Sequence, residues 1–328
     1  MGYPCWAGRD STFVFSRARR IRRGERKLKL SLLDFVPRLP GYSAEEALEQ
    51  AIRLAREAEA LGYHRYWTSE HHGMEGLASA APEVLLSAIG AATRRIRLGS
   101  GAVLLPHYSP LKVAESFRLL SALYPGRVDL GIGRAPGGEA HVTMALSGNF
   151  LERVGRYPQL AKDLADLLAD NYRYDDHPVI ARPIPRLPLE LWMLGTNVKS
   201  AGYAAELGTG YVFGQFMSDS NGAEILRSYR EAFRPSVHLA KPSTILAVGL
   251  ICAETEAHAK TLAAKTTEGF RDRGGAPFQW FAGTALQARE YLQDLQNQCR
   301  NDEFLIVSPI PDYEERLHSY RLLAELGI

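Results

Sequence analysis

Short apolar runs alternate with amphipathic segments along most of the chain. The run at 28–35, LKLSLLDF, has the continuous apolar character of a buried strand, and similar runs occur at 64–69, 96–106, 127–133, 189–194, 210–214, 243–253 and 303–307. Between them, apolar residues recur every three or four positions, as in the helix predicted over 43–61. Ser43 and Glu46 stand at the spacing of a capping box, and Gly62 is the stop signal.

Eight strands that alternate with helices predict an α/β protein of the (β/α)8 TIM-barrel class. An open, doubly wound sheet is the alternative, because a sequence pattern does not show whether the sheet closes. In a barrel, the catalytic groups lie where the strands end and the following loops begin. The ends of the predicted strands are therefore the places to look for chemistry.

Composition and charge narrow the class of protein. The chain has 328 residues, 46% hydrophobic and 23% charged, which suits a soluble globular protein with either a single α/β barrel or two ordinary domains. A net charge of +2 gives no indication of a nucleic-acid partner, and no apolar run is long enough to cross a membrane. Three scattered cysteines predict reduced thiols in a cytoplasmic protein, with neither a disulfide framework nor a metal cluster.

The start of the chain has a different character. The segment RARRIRRGERK, at 17–27, holds seven basic residues and one acidic residue, and no apolar signal-peptide core follows it. We predict a disordered basic extension over 1–27 and a single barrel domain over 28–328.

Several polar residues fall at the predicted strand ends. His71 and His72 are adjacent, so their side chains point to opposite sides, and one is expected to be chemical and the other structural. Their spacing does not suit a zinc pair four residues apart on a helix, and no metal is expected. Asp34 is either a turn cap or a substrate contact. His107, beside Tyr108, is either a substrate contact or part of a turn ahead of a proline.

Two further motifs suggest a phosphate site. The segment GIGRAPGG, at 131–138, resembles a dinucleotide fingerprint but has Pro136 where the third glycine should be, which disfavours a Rossmann dehydrogenase. In a barrel, Arg134 instead offers a planar fork for a phosphate. Thr196, Asn197 and Ser200 stand where the next predicted helix starts, so they either bind an anion there or cap the helix.

Four blocks, in this order and spacing, carry a family resemblance. They are SEHHGM, IRLGSGAVLLPHYSPLKVAE, YPGRVDLGIGRAPGG and LWMLGTNVKSAGYAAELG. The chain resembles the bacterial luciferase-like flavin monooxygenases, in particular the single-subunit, alkanal monooxygenase-like branch. The likeness covers 28–255 and returns in the closing segment DEFLIVSPIPDYEERLHSYRLLAE. It is specific for the superfamily and much less so for the substrate.

The resemblance implies roles for individual residues. His71 matches the family's active-site histidine beside the flavin ring, where it acts as a general base or hydrogen-bond partner. Arg134, Asn197 and Ser200 match the positions that bind the flavin phosphate, and Thr196 stands in the same group, where luciferase has an acidic residue.

The resemblance also concerns the backbone under the ring. The bond between Ser100 and Gly101 falls where the family has a cis peptide, which places both residues in the cofactor site. Gly133 stands where luciferase carries a reactive cysteine, which argues against light emission. The region of the family's mobile loop, at 268–284, looks short here.

The implied activity is a non-luminescent monooxygenase that uses reduced FMN (FMNH2), supplied by a separate flavin reductase, and O2. Its expected substrate is a small aldehyde-like, aromatic or apolar molecule near Asp34, His107 and Tyr108, and a homodimer is the expected assembly. A deazaflavin F420-dependent oxidoreductase and a non-catalytic flavin-binding protein remain as alternatives. Residues that would line an apolar pocket, or else fill the core, are Tyr108, Trp192, Phe213, Phe216 and Trp280.

Overall fold

The computed structural model describes residues 27–270 and 278–325, with side chains over 27–266 and 278–325. The described strands are β1 (Lys29–Asp34), β2 (Arg65–Thr68), β3 (Arg97–Ser100), β4 (Val103–Leu104), β5 (Val128–Gly133), β6 (Arg173–Tyr174), β7 (His177–Pro178), β8 (Glu190–Gly195), β9 (Gly210–Gly214), β10 (Thr244–Cys252), β11 (Trp280–Gly283) and β12 (Glu303–Val307).

Eight parallel strands close into a ring. Their order is β1, β2, β3, β5, β8, β9, β10 and β12, and β12 pairs with β1 to complete the barrel. The register places Leu32 opposite Tyr66 across β1 and β2, and Leu30 opposite Phe304 across β1 and β12. The predicted (β/α)8 barrel is confirmed, and the open-sheet alternative is wrong.

Helices pack around this ring. They are α1 (Ala44–Ala60), α2 (Pro82–Ala92), α3 (Pro110–Leu123), α4 (Ala140–Ser147), α5 (Phe150–Gly155), α6 (Tyr157–Leu168), α7 (Val198–Leu207), α8 (Gly222–Ala232), α9 (Glu256–Phe270), α10 (Ala285–Cys299) and α11 (Tyr313–Ala324). The first helix begins with the predicted capping box, in which the Ser43 side chain accepts from the Glu46 amide at 3.2 Å and Glu46 accepts from the Ser43 amide at 2.7 Å.

Three parts of the structure were not anticipated from the sequence. The short helices α4 and α5 lie between β5 and α6, and β6 and β7 form an antiparallel hairpin in the proline-rich stretch before β8. Strand β11 pairs with the second half of β10, from Gly249 to Cys252, whereas the first half of β10 pairs with β9. This arrangement extends the wall of the barrel above β9.

The inside of the barrel is apolar in the middle and charged at the amino ends of the strands. Trp67 and Trp192 meet edge to face with their ring centres 6.0 Å apart. Below them, the Arg65 guanidinium bridges the carboxylates of Asp129 at 2.8 Å and Glu303 at 2.6 Å. Charged residues therefore close this end, and the carboxyl ends of the strands form the open mouth.

The predicted basic extension, 1–27, lies outside the described residues except for Lys27. Among the residues that the structure describes, no helix is both long and apolar enough to cross a membrane. Within that same part of the chain, no three histidine, cysteine or acidic side chains come together as metal ligands.

Candidate active site at the mouth of the barrel

Glycines shape the inner wall of the barrel just below its mouth. A Cβ atom added to Gly101 would come within 2.7 Å of Leu33 and 3.3 Å of Trp67, and one added to Gly131 would lie 2.1 Å from the Ser100 carbonyl oxygen. Real Cβ atoms do not approach a backbone oxygen so closely, so Gly131 requires glycine, and a side chain at Gly101 would require Leu33 to move. The wall beside β3 and β5 is thus backbone, against which Leu33, Trp67 and Leu194 pack closely.

The cis peptide bond lies one residue later than predicted. It joins Gly101 to Ala102, so the predicted bond between Ser100 and Gly101 is wrong by one position. The Ser100 side chain is fully buried, donates to the Gly131 carbonyl at 2.9 Å and accepts from the Gly131 amide at 3.0 Å. Ser100 therefore ties β3 to β5 through its hydroxyl.

His71 follows the end of β2, as predicted. Its Nδ1 lies 3.0 Å from the Ser69 hydroxyl, and its backbone amide donates to the Ser79 carbonyl at 2.9 Å. The ring meets Phe35, which follows β1, edge to face at 5.6 Å. The imidazole is partly exposed while its supporting serines are buried, which suits a side chain that is held firmly and still reaches a bound molecule.

His72 has a different environment. Its Nε2 lies 2.8 Å from Oε1 of Glu70, a carboxylate that is only 3% exposed. Glu70 also accepts from the Tyr108 hydroxyl at 2.7 Å and from the Leu104 amide at 3.1 Å. The two adjacent histidines thus have different surroundings, with His72 joined to a buried network that links the loops after β2 and β3.

His107 belongs to the same group of loops. Its Nε2 donates to the Pro136 carbonyl at 2.9 Å, and its Nδ1 lies 3.0 Å from the Ser147 hydroxyl. Burial lowers the pKa of this imidazole, which favours the neutral form. His107 ends a single 3-10 turn, the structural alternative considered from the sequence, and it stacks on Phe150 at 5.0 Å.

Asp34 points away from the mouth. Its carboxylate pairs with Arg316 at 2.6 Å, accepts from the Tyr66 hydroxyl at 2.7 Å and accepts from the Val36 amide at 2.8 Å. Because Leu33 faces the barrel interior, the alternation of the strand directs Asp34 outward to α11. These contacts match the turn-cap interpretation, and this carboxylate has no exposed surface for a substrate.

The anion-binding candidates come together on neighbouring strands. Ile132 of β5 is in register with Met193 of β8, so Arg134 and Gly195, each two residues later, leave the sheet side by side. Arg134 is half-buried, and its guanidinium makes no hydrogen bond or ion pair with any residue that the structure describes. Asn197 caps α7 by accepting from the Ser200 amide at 3.2 Å.

Ser200 lies under this cap. Its hydroxyl is buried, donates to the Asn197 carbonyl at 2.8 Å and lies 3.0 Å from the Tyr211 hydroxyl. A Cβ on Gly195 would lie 2.0 Å from that oxygen, so glycine is required where β8 meets α7. Thr196 lies between Gly195 and Asn197 in the loop that joins β8 to α7, and its carbonyl oxygen accepts from the Ser218 hydroxyl at 2.9 Å. Asn197 is a helix cap, and its partly buried side chain lies beside the first amides of α7.

A buried hydroxyl without a partner adjoins this cluster. Tyr157, at the start of α6, is 1% exposed, and its hydroxyl has no hydrogen bond among the described residues. Burial raises its pKa, and the positive charge of Arg134 opposes that effect. Counting described residues only, an arginine without a partner, the start of a helix and a buried hydroxyl without a partner together fit a phosphate group. The residues present therefore suit the phosphate end of a flavin-type cofactor.

Aromatic side chains cover the opposite side of the mouth. The ring centre of Phe216, which follows β9, lies 6.2 Å from the ring centre of Phe35 and 6.2 Å from that of Trp280. The ring centre of Phe278 lies 5.7 Å from that of Phe216. Phe216 and Trp280 were candidates from the sequence, whereas Phe35 and Phe278 were missed. Trp192 lies deeper in the barrel, and Phe213 packs in the outer core.

Comparison with known proteins identifies the family of the chain. A family model described as luciferase-like monooxygenase matches residues 29–304. The chain is 39% identical to the protein YwcH of Bacillus subtilis, over 91% of this chain and 98% of that one. It is 34% identical to an N-acetyl-S-alkylcysteine monooxygenase of the same organism, again over 91% and 98%.

Solved structures show the same architecture. The crystal structure of apo-MsnO8 has a TM-score of 0.79 and 36% identity, over 91% of this chain and 97% of that chain. Two more distant structures share the fold alone: a Baeyer-Villiger monooxygenase in complex with FMN, with 19% identity and a TM-score of 0.70, and an F420-dependent secondary alcohol dehydrogenase, with 15% and 0.66. The chain belongs to the luciferase-like monooxygenase family.

Proposed function

We propose that this chain is an FMN-dependent monooxygenase that uses reduced FMN and O2 to oxidise a small organic substrate without emitting light. The observation that carries the proposal is the Arg134 guanidinium, which has no hydrogen bond or ion pair with the described residues and lies beside the start of α7, on the same mouth as His71. A separate flavin reductase would supply the reduced cofactor. Membership of the family supports the reaction class.

The chain's own residues would bind the phosphate at one end of the site. Arg134 would provide two parallel donors, and the first amides of α7 would add the partial positive charge of a helix start. Ser200, Asn197 and Thr196 form and orient that start. Close packing around Gly195 would prevent water from filling the space behind the anion.

The ring would lie against the backbone wall at Gly101 and Gly131, with His71 at its edge. When bound, reduced FMN supplies the two electrons that reduce one oxygen atom of O2 to water while the other enters the substrate. His71 would hold or accept a proton at this edge, because imidazole exchanges protons near neutral pH. The aromatic group at Phe35 and Phe216 would exclude water and favour an aromatic or apolar substrate.

Binding of the cofactor provides the direct test. We expect tight binding of FMN, with affinity for riboflavin lower because it has no phosphate. Arg134→Met should weaken FMN binding about 10- to 100-fold, the effect of losing charge-assisted hydrogen bonds, and leave riboflavin binding unchanged. Arg227→Met, at an exposed position on α8, is the matched control. No measurable affinity for reduced FMN, assayed without oxygen, would overturn the proposal.

Turnover separates the alternatives. Tight binding of F420 in place of FMN, with hydride transfer and no oxygen consumption, would favour an F420-dependent oxidoreductase. With a reductase and FMN present, oxygen consumption no faster than that of free reduced flavin across a panel of aldehydes and aromatic compounds would favour a non-catalytic flavin-binding protein. We expect His71→Ala to bind FMN normally and to lose roughly 10²- to 10⁴-fold in kcat.

A further inference from the structure

Two buried serine hydroxyls stand behind His71. Ser69, directly after β2, and Ser79, just before α2, are each 2% exposed. The Ser69 oxygen lies 3.0 Å from Nδ1 of His71 and 3.2 Å from the Ser79 oxygen, and the Ser79 hydroxyl donates to the Phe35 carbonyl at 3.1 Å. Burying a hydroxyl is unfavourable unless it is hydrogen-bonded, so this chain of bonds accounts for both residues.

The chain of hydrogen bonds has one direction. A carbonyl oxygen only accepts, so the single proton of Ser79 goes to Phe35. The Ser79 oxygen then accepts from Ser69, which uses the single proton of Ser69. Ser69 is consequently an acceptor toward His71, and the ring proton of the neutral imidazole lies on Nδ1.

His72 shows the opposite placement. Its Nε2 faces the Glu70 carboxylate, which only accepts when it is ionised, so Nε2 carries a proton. Two adjacent histidines therefore present different nitrogens as donors. The difference follows from their partners, since the side chain itself is the same.

We propose that Ser69 and Ser79 are positioning residues that hold neutral His71 with its proton on Nδ1 and thereby keep Nε2 as the basic nitrogen. The His71 amide, bonded to the Ser79 carbonyl at 2.9 Å, fixes the backbone of the same residue. The consequence for turnover rests on the proposed function, in which His71 holds or accepts a proton. The position of the proton is a property of the cofactor-free protein and does not depend on that function.

Nitrogen-15 NMR of the labelled, cofactor-free protein tests the proton position directly. The spectrum of His71→Gln identifies the His71 signals among the nine histidines. We expect a protonated Nδ1 and an unprotonated Nε2 in the natural chain at a pH where the ring is neutral. Ser69→Ala should shift the equilibrium toward the Nε2-protonated form, which free imidazole side chains favour in water.

Ser79→Ala gives a sharper result because the described hydrogen bonds of the Ser79 hydroxyl go to Ser69 and Phe35, so its effect on the His71 ring passes through Ser69. Without Ser79 as an acceptor, Ser69 is expected to donate to Nδ1, which transfers the ring proton to Nε2. Ser121→Ala is the matched control, since Ser121 is a buried serine of α3 that donates to the Leu187 carbonyl. It should leave the His71 signals unchanged.

Kinetics test the consequence. Ser69→Ala and Ser79→Ala should each lower the plateau of the pH profile of kcat about tenfold, the population change that corresponds to one hydrogen bond. FMN affinity and the circular-dichroism spectrum should be unchanged. A natural chain with its proton on Nε2, or serine variants that keep both the original tautomer and the original kcat, would overturn the inference. A natural chain that shows the expected tautomer but no oxygenase activity would count against the proposed function alone.

Discussion

Replacing Glu70 tests how much the buried network behind the mouth contributes to stability. In Glu70→Ala, the Tyr108 hydroxyl, the Leu104 amide and Nε2 of His72 all lose their acceptor. A buried donor left without a partner costs about 1–3 kcal/mol, and since Tyr108 and His72 are partly exposed while the Leu104 amide is buried, we expect a total loss of about 3 kcal/mol in the free energy of unfolding. That is a large part of the roughly 5–15 kcal/mol typical of native proteins.

Glu70→Gln separates the three bonds. The amide oxygen can still accept from Tyr108 and His72, which both bond to Oε1, whereas the NH2 group would face the Leu104 amide. One bond is lost, so the expected cost is about 1–3 kcal/mol. The predicted order of stability is therefore the natural chain, then Glu70→Gln, then Glu70→Ala.

Urea unfolding followed by circular dichroism measures these differences. Glu59→Ala is the matched control, because Glu59 also accepts from three amides, those of Arg94, Arg95 and Ile96, but is only half-buried. Water can replace its carboxylate, so we expect a cost of about 1 kcal/mol or less. If Glu70→Ala lowers the free energy of unfolding no more than Glu59→Ala does, burial does not determine how much these hydrogen bonds stabilise the protein, and the reasoning is refuted.

Three further results are expected. Asp34→Asn should lower the free energy of unfolding in urea by about 3–5 kcal/mol because it removes the carboxylate that pairs with buried Arg316, and FMN affinity should be unchanged. A large loss of FMN affinity without a loss of stability would instead place Asp34 in the cofactor site. Tyr157→Phe should stabilise the cofactor-free chain by up to about 1 kcal/mol by removing the unpartnered hydroxyl, and a lower melting temperature would contradict this. Burial lowers the pKa of His107 and His238 in the folded chain. The unfolded chain therefore binds protons at these two histidines at a higher pH, about 6.5, and acid favours unfolding. The melting temperature should fall as the pH is lowered from about 7.5 to about 5.5, and an unchanged melting temperature over that range would contradict this.

Periodicity in the sequence predicted the eight ring strands because each is a buried apolar run with a clear end. It missed β11 because three of the four residues of Trp280–Gly283 are only partly buried and the strand pairs with part of one neighbour. It also missed α4 and α5, which have few buried residues and therefore little amphipathic pattern. Short elements of this kind depend on tertiary contacts that local sequence does not show.

Individual site residues show a similar division. The sequence separated His71 from His72 and grouped Arg134 with the start of α7, because strand alternation and helix ends are local features. The orientation of Asp34 could also have been predicted, since inward-facing Leu33 precedes it. No local signal identified Ser69 and Ser79 as partners of His71, because their roles arise from loops that meet only in the folded chain.

The two indoles across the barrel divide the molecule into parts that can change separately. Nε1 of Trp67 donates to Asp129 and Nε1 of Trp192 donates to Glu190, so both rings are anchored in the charged base while the upper face of Trp67 adjoins Gly101. Substitutions in the loops at the mouth can therefore change the proposed substrate preference while the charged base of the barrel stays the same. Substitution of either tryptophan, by contrast, would transmit a change in the base directly to the surface on which the cofactor is proposed to rest.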